Sequence, residues 1–119
     1  MAQPVVHFEV VGKDPAKLRE YYGRLFGWEF AEPMGPDYAV LTNPNGIGGG
    51  IGGGPEGYEG HVTFYVEVPD VEAALAQAES LGGQRMMGPD EVPGVGIVIG
   101  LLRDPEGHTV GVMSGEPSS

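Results

Sequence analysis

The sequence predicts an α+β fold built from two tandem βαβββ modules, and three observations support this prediction. Each half of the chain begins with alternating apolar and polar residues and continues with an apolar stripe at helical spacing. An aspartate precedes each stripe and a glycine follows it, which are typical signals for the start and end of a helix. Short apolar runs separated by turn-forming residues follow each helix. Helices interleaved with hairpin-connected strands are typical of the α+β class.

The second half of the chain shows the module most clearly. Apolar and polar side chains alternate over residues 61–68, which predicts a strand with two unlike faces. Asp70 is the predicted N-cap, because its carboxylate can accept hydrogen bonds from the free N–H groups of a first helical turn. Apolar residues recur at helical spacing over residues 71–81, and Gly82 and Gly83 end the predicted helix.

The first half of the chain repeats this order. Residues 5–11 alternate as a strand, Asp14 is the predicted N-cap, and Pro15 suits the first helical position. The apolar stripe continues to Phe26, and Gly27 ends the helix. Because the two aspartate caps lie about half a chain length apart, we interpret the chain as two copies of one module.

The remaining predicted strands are shorter. We predict them at residues 27–31, 38–42, 84–87, 97–102 and 108–113, with a turn over 33–37 and a loop over 88–96. Nine of the 15 residues from Gly46 to Gly60 are glycine. Two interpretations of this stretch remain open: a flexible linker, or a strand at 48–51 that leads into a linker from Gly52. A phosphate-binding loop is disfavoured because no Gly-Lys-Ser/Thr sequence and no helix follow.

A single domain is expected for 119 residues. Its predicted parts are a first module over 5–51, a glycine-rich linker over 52–60, a second module over 61–113 and a tail over 114–119.

Composition restricts the possible partners. The chain has 6 Lys and Arg against 17 Asp and Glu, a formal net charge of −11, which disfavours binding to nucleic acid or to anionic membranes. It contains no cysteine, so disulfides and thiol catalysis are excluded. Neither a signal peptide nor an apolar run long enough for a membrane span is present, and a cytoplasmic protein is the expectation.

At this point the sequence resembles the vicinal oxygen chelate superfamily, which includes glyoxalase I, bleomycin-resistance proteins and extradiol dioxygenases. The residues that carry the resemblance are His7 seven positions before Asp14, the Tyr-Gly-Arg-Leu-Phe-Gly-Trp sequence at 22–28, the helix over 70–83 and the Asp-Pro-Glu-Gly turn at 104–107. The resemblance extends over about residues 5–113. It implies two modules whose mixed sheets curve around a cavity, and members of this size commonly form homodimers.

The resemblance also implies one divalent metal ion held by four side chains, on which two neighbouring substrate oxygens displace water. His7 matches the first-strand histidine of this set. The three other positions fall on Thr63, on Gly111 and in the glycines at 48–50. A divalent metal therefore remains possible through His7, but three of the four standard ligand positions are lost.

Alternation along the strands predicts which side chains share the concave face. The residues predicted to line it are His7, Glu9, His61, Thr63, Tyr65, Glu67 and Gly111. The glycines at 48–50 and at 111 are expected to leave this pocket roomier than in a metal-binding relative.

Each predicted pocket residue has a functional and a structural interpretation. His7 is a metal ligand, a metal-free pocket residue or a structural histidine. His61 is expected to be exposed to solvent, and the alternative is a displaced ligand in a rebuilt metal site with His7 and Glu9. Glu9 and Glu67 are candidate bases for proton abstraction, or one or both lie at the solvent-exposed rim of the sheet. Tyr65 either donates a hydrogen bond to a ligand or packs.

Four other residues outside the predicted pocket complete these expectations. His108 is placed outside the pocket, and Trp28 with the Tyr21–Tyr22 pair is assigned to the core or to a dimer contact.

Three hypotheses of function follow. The first, which we favour, is a glyoxalase- and bleomycin-resistance-like protein with a metal-independent small-molecule pocket. The second is a lyase or isomerase of glyoxalase type that uses a rearranged metal site or a carboxylate base. The third is a non-catalytic dimeric interaction module, which predicts a pocket filled by the protein's own side chains.

Overall fold

The computed structural model describes residues 2–34 and 37–115. The chain divides into two compact units, the first comprising Val6–Thr63 and the second combining the preceding N-terminal residues with the chain from Phe64 onward. Among the described residues there are seven strands and two helices, so the α+β class is confirmed. No helix among the residues described is long and apolar enough to cross a membrane.

The first unit contains one helix and a three-stranded sheet. Its elements are β1 (Val5–Gly12), α1 (Pro15–Phe26), β2 (Ala39–Val40) and β3 (Gly48–Gly53). The sheet order is β2-β3-β1, with β1 parallel and β2 antiparallel to β3. The α1 helix packs against β3.

The predicted ends of α1 are confirmed. The Asp14 carboxylate accepts a hydrogen bond from the Lys17 backbone N–H at 3.1 Å, and Pro15 is the first helical residue. At the other end Gly27 adopts a left-handed conformation with φ of 75°, and its N–H donates to the Gly23 carbonyl at 2.8 Å.

The predicted strand at 27–31 is wrong, since only a single bridge between Phe30 and Leu41 forms there. This bridge is made by the Ala31 N–H donating to the Val40 carbonyl and the Thr42 N–H donating to the Glu29 carbonyl, and backbone pairing does not continue from Glu29 toward Gly27. The Asn43 amide accepts the Glu29 N–H at 2.9 Å and donates to the Gly27 carbonyl at 3.0 Å, so this backbone bonds to Asn43 instead of continuing a ladder. The neighbouring predicted strand at 38–42 shortens to β2, and Tyr38 and Leu41 on either side of it form single bridges.

The glycine-rich stretch is resolved in favour of a strand, because Gly48 to Gly53 form β3. This strand continues two residues beyond the predicted end at Ile51. The predicted turn over 33–37 lies partly outside the described residues.

The second unit has the complete predicted order of one helix and four strands. Its elements are β4 (His61–Glu67), whose first three residues belong to the first unit, α2 (Val71–Ser80), β5 (Gln84–Val92), β6 (Ile97–Arg103) and β7 (Thr109–Gly115). The sheet order is β4-β7-β6-β5, with β4 and β7 parallel and the other pairs antiparallel. The core lies under α2, where Val68, Val71, Leu75 and Val112 pack together.

Two predicted boundaries in this unit need correction. The β5 strand continues to Val92, through residues that were predicted as a loop, because its pairing register with β6 shifts between Met87 and Asp90. Pro89, which has no N–H to donate, lies at this irregularity. The β7 strand includes Ser114 and Gly115 of the predicted tail, and the rest of that tail lies outside the described residues.

Candidate functional site

The side chains of His7 and Glu9 on β1 meet at one tyrosine hydroxyl. The two residues alternate with Phe8 and so share one face of the strand. The Tyr38 hydroxyl donates to Glu9 Oε1 at 3.2 Å and lies 3.0 Å from His7 Nε2. Because the hydroxyl has a single proton, which goes to Glu9, His7 Nε2–H is the donor in its contact with Tyr38.

The second carboxylate oxygen of Glu9 contacts the other histidine of this unit. His61 Nε2 lies 2.7 Å from Glu9 Oε2, and Tyr58 Oη lies 2.6 Å from His61 Nδ1. The side chains of Glu9 and His61 are only 10% and 9% exposed. The expectation that His61 is solvent-exposed is therefore wrong. His61 is the first residue of β4, and its imidazole is directed toward Glu9.

These contacts form one continuous hydrogen-bonded network, which we call the Glu9 network: His7, Tyr38, Glu9, His61 and Tyr58. In the tautomers that carry the proton on Nε2 of His7 and of His61, each of the four contacts has one donor and one acceptor. Such a network restricts the rotamers of its members, since a change in one side chain leaves a partly buried polar group unsatisfied.

Burial affects the protonation of His7. Removal from water lowers the pKa of His7 below 6.5, and the nearby Glu9 carboxylate opposes this shift only in part. The neutral imidazole is therefore favoured at neutral pH, in agreement with its role as a single Nε2–H donor to Tyr38.

The glycines of β3 make room for Tyr38. Gly50 is the register partner of Glu9, and a Cβ atom on Gly50 would overlap the Tyr38 ring and hydroxyl. A Cβ atom on Gly52 would lie 2.6 Å from Tyr38 Cδ2. The prediction that these glycines leave a roomier pocket is therefore wrong at Gly50, because the Tyr38 ring lies on the bare backbone and fills the space.

The second unit shows the same arrangement at Gly111. Tyr65 on β4 is the register partner of Gly111 on β7 and is buried. A Cβ atom on Gly111 would lie 2.5 Å from the Tyr65 ring, so Tyr65 packs on this glycine. The roomier pocket predicted at Gly111 is wrong for the same physical reason as at Gly50.

The predicted site residues fall in both units. His7, Glu9, His61 and the buried Thr63 belong to the first unit, whereas Tyr65, Glu67 and Gly111 belong to the second. Glu67 lines a cavity of about 790 Å³ within the second unit, together with Pro4, Val68, Val98 and Ser114. His108 is 72% exposed and hydrogen-bonds Asp104, as expected for a residue outside the pocket.

Sequence reasoning missed Tyr38 and Tyr58. Tyr58 lies three residues before His61 in a turn, so local spacing offered a signal for it. Tyr38 had only an indirect signal, because Gly50 and Gly52 leave one face of a strand without side chains and such a face needs a large neighbour.

The described residues do not fit the four-ligand metal site that the resemblance implies. His7 Nε2 carries a proton toward Tyr38 and so has no lone pair for an ion in this arrangement. A ligand side chain at Gly50 would overlap the Tyr38 ring. Among residues 2–34 and 37–115, no three His, Cys, Asp or Glu side chains are placed to hold a metal ion.

Comparison with known proteins gives one family match and several structural matches. The model of the Glyoxalase-like domain family matches residues 7–113. No curated protein matches the sequence.

Among solved structures, the chain is similar to methylmalonyl-CoA epimerase from Mycobacterium tuberculosis, with TM-score 0.67, 14% identity, and coverage of 95% of this chain and 88% of the other. It is also similar to a glyoxalase/bleomycin resistance protein/dioxygenase superfamily member from Vibrio splendidus 12B01, with TM-score 0.65, 16% identity, and coverage of 95% and 99%. A hypothetical protein from Bacillus halodurans C-125 aligns with TM-score 0.69, 13% identity, and coverage of 100% and 99%. At these identities the structural matches establish the fold.

Proposed function

Since the chain belongs to the glyoxalase-like domain family, we propose that it binds a small molecule through a pocket that works without the standard metal site. The observation that carries this proposal is the position of the Tyr38 hydroxyl. It lies between His7 and Glu9, within hydrogen-bond distance of both.

Tyr38 satisfies the polar groups of His7 and Glu9, which is a task that a bound metal ion performs in a chelate site. An ion would accept a lone pair from His7 and neutralise the charge of a carboxylate. The phenol oxygen of Tyr38 instead accepts a hydrogen bond from His7 Nε2–H, and its O–H group donates a hydrogen bond to Glu9. The protein itself therefore satisfies both side chains. A metal ion is therefore not needed to satisfy the polar groups of His7 and Glu9.

The proposed ligand contacts are the polar residues predicted for the pocket in the first unit: His7, Glu9, His61 and Thr63. Tyr38 and Tyr58 join them as positioning residues, because each holds one histidine. A fixed set of donors and acceptors on strands is suited to recognising a small molecule, since little side-chain entropy is lost when it binds.

The first experiment measures metal content in protein purified without a histidine tag, followed by melting curves with Ni²⁺, Co²⁺, Zn²⁺ and Mn²⁺. We expect less than stoichiometric metal and no rise in melting temperature. A stoichiometric ion that is lost in His7→Ala would overturn the proposal. His108→Ala is the matched control, because His108 is an exposed histidine outside the Glu9 network.

A ligand screen by thermal shift then tests binding directly. We expect compounds that stabilise the wild type to lose most of their effect in His7→Ala and to keep it in His108→Ala. Hits that stabilise both variants equally would place the ligand elsewhere on the protein.

The second candidate function is metal-free proton abstraction, and the buried Glu9 carboxylate favours it. A carboxylate held by two donors is positioned as a general base, and Glu67 on its own cavity is the alternative base. One structural match is a methylmalonyl-CoA epimerase, so 2-oxoaldehyde–thiol adducts and acyl thioesters are the substrates to test. Solvent deuterium incorporation that disappears in Glu9→Gln and persists in Glu67→Gln would support Glu9.

The third candidate is a non-catalytic homodimeric module in the cytoplasm. The packing of Tyr38 on Gly50 and of Tyr65 on Gly111 favours it, because both positions are filled by the protein's own side chains. Sedimentation equilibrium measures the dimer, and a ligand screen without hits combined with a stable dimer would make this candidate the leading one.

A further inference from the structure

A second cavity lies in the first unit, away from the Glu9 network. Its volume is about 410 Å³, within the range of small-molecule sites. The residues that line it are Phe8, Phe26, Gly27, Trp28, Leu41, Asn43, Pro44, Asn45, Gly46 and Ile47.

This cavity is on the other face of β1 from the residues proposed above. Phe8 lies between His7 and Glu9 in sequence, and successive side chains of a strand point to opposite faces. A ligand in this cavity therefore binds independently of the Glu9 network.

Three aromatic rings form its apolar wall. The Trp28 ring centroid lies 5.0 Å from that of Phe8 and 5.1 Å from that of Phe26, both in tilted arrangements. Ile47, which is 48% exposed, and Phe26, which is 57% exposed, are lining residues that solvent reaches. Aromatic walls of this kind bind flat apolar molecules by offset stacking and edge contacts.

The cavity is preformed by Asn43. Its amide donates to the Gly27 carbonyl and accepts from the Glu29 N–H, which joins the 43–47 turn to the chain that follows α1. Both segments contribute lining residues, so their relative position is fixed before any ligand arrives.

Charge determines the class of ligand. None of the ten lining residues is charged, and the chain as a whole has a net charge of −11. An anion would lose its hydration without gaining a partner and would be repelled by the protein. We propose that this cavity binds an uncharged, planar aromatic molecule.

The sequence supplies a specific reporter for this site. Trp28 is the only tryptophan in the chain, so its fluorescence arises within the cavity itself. The probe is N-phenyl-1-naphthylamine, an uncharged aromatic amine that accepts energy from tryptophan. The matched anionic probe is 1-anilinonaphthalene-8-sulfonate, which differs by one sulfonate group.

We expect the uncharged probe to quench Trp28 emission with sensitised probe fluorescence, and to bind at least tenfold more tightly than the sulfonate. Ile47→Asp places a charge at the cavity and should weaken binding at least tenfold. Val95→Asp is the control, because Val95 is an apolar residue in the second unit, 55% exposed and outside the cavity. Circular dichroism confirms folding, and Phe26→Ser is the second variant if Ile47→Asp does not fold.

Three results would overturn the proposal: no energy transfer from Trp28, equal binding of the two probes, or unchanged binding in both Ile47→Asp and Phe26→Ser. A fourth is a Trp28 emission spectrum that changes with protein concentration alone, in parallel with dimer formation. That result would show that a second copy of the chain, and not a small molecule, covers the cavity. These outcomes are independent of the metal and ligand tests at His7.

Discussion

Gly50→Ala is the substitution that tests most sharply whether Tyr38 fills the space over β3. The added Cβ atom would overlap the ring and hydroxyl of Tyr38, so the ring has to move. Its displacement breaks the contacts of the hydroxyl with His7 and Glu9. Overpacking costs about 1–3 kcal/mol and each lost hydrogen bond about 0.5–1.5 kcal/mol. With two hydrogen bonds lost, we therefore expect a decrease of about 2–6 kcal/mol in the free energy of unfolding.

The same strand supplies the control. A Cβ atom on Gly48 meets nothing within 4 Å, so Gly48→Ala should change the free energy of unfolding by less than about 0.5 kcal/mol. Urea denaturation monitored by circular dichroism measures both variants. Equal stabilities for Gly50→Ala and Gly48→Ala would refute the packing of Tyr38 on β3.

A double-mutant cycle identifies the cause of the loss. In a Tyr38→Ala background the space over Gly50 is open, so Gly50→Ala should cost little further stability. A penalty for Gly50→Ala that is the same with and without Tyr38 would show that the backbone of β3, and not the ring, requires glycine.

Three further predictions concern other parts of the molecule. Because burial lowers the pKa of His7 below 6.5, the folded state binds fewer protons than the unfolded state in acid, so the free energy of unfolding should fall as pH decreases through and below 6.5. His7→Gln should remove this part of the pH dependence in urea denaturation, and an unchanged slope would contradict it. Gly111→Ala should lower the melting temperature, because its Cβ atom would lie 2.5 Å from the Tyr65 ring, and a stability equal to wild type would contradict that packing. Asp70→Ala should cost about 1 kcal/mol by removing the cap of α2, whereas Asp70→Asn should restore most of that loss in the same denaturation assay.

The fold of the second unit could be predicted from the sequence because its signals are local. The alternation before Asp70 and the helical stripe after it each depend on residues within one element. The strand predicted at 27–31 failed because its backbone bonds to the side chain of Asn43, which lies 14 residues beyond Glu29. Periodicity does not reveal a hydrogen bond at that separation.

The candidate site was predictable only in part, for the same reason. Alternation correctly placed His7 and Glu9 on one face of β1. The sequence also showed that Gly50 and Gly111 lack side chains, but it did not show that Tyr38 and Tyr65 pack over them. Which side chain fills the space over a glycine depends on residues distant in sequence, so the same glycines were interpreted as open space.

The most direct test of the account is a long-range ¹H–¹⁵N NMR spectrum of the histidine side chains, recorded with and without one equivalent of Zn²⁺. Because the Tyr38 hydroxyl donates to Glu9, we infer a proton on His7 Nε2 that is directed at this hydroxyl. We predict a neutral His7 with a protonated Nε2 at neutral pH, unchanged by Zn²⁺. Loss of the Nε2 proton on addition of Zn²⁺, with the ¹⁵N shift of a metal-bound nitrogen, would contradict a site that works without a metal.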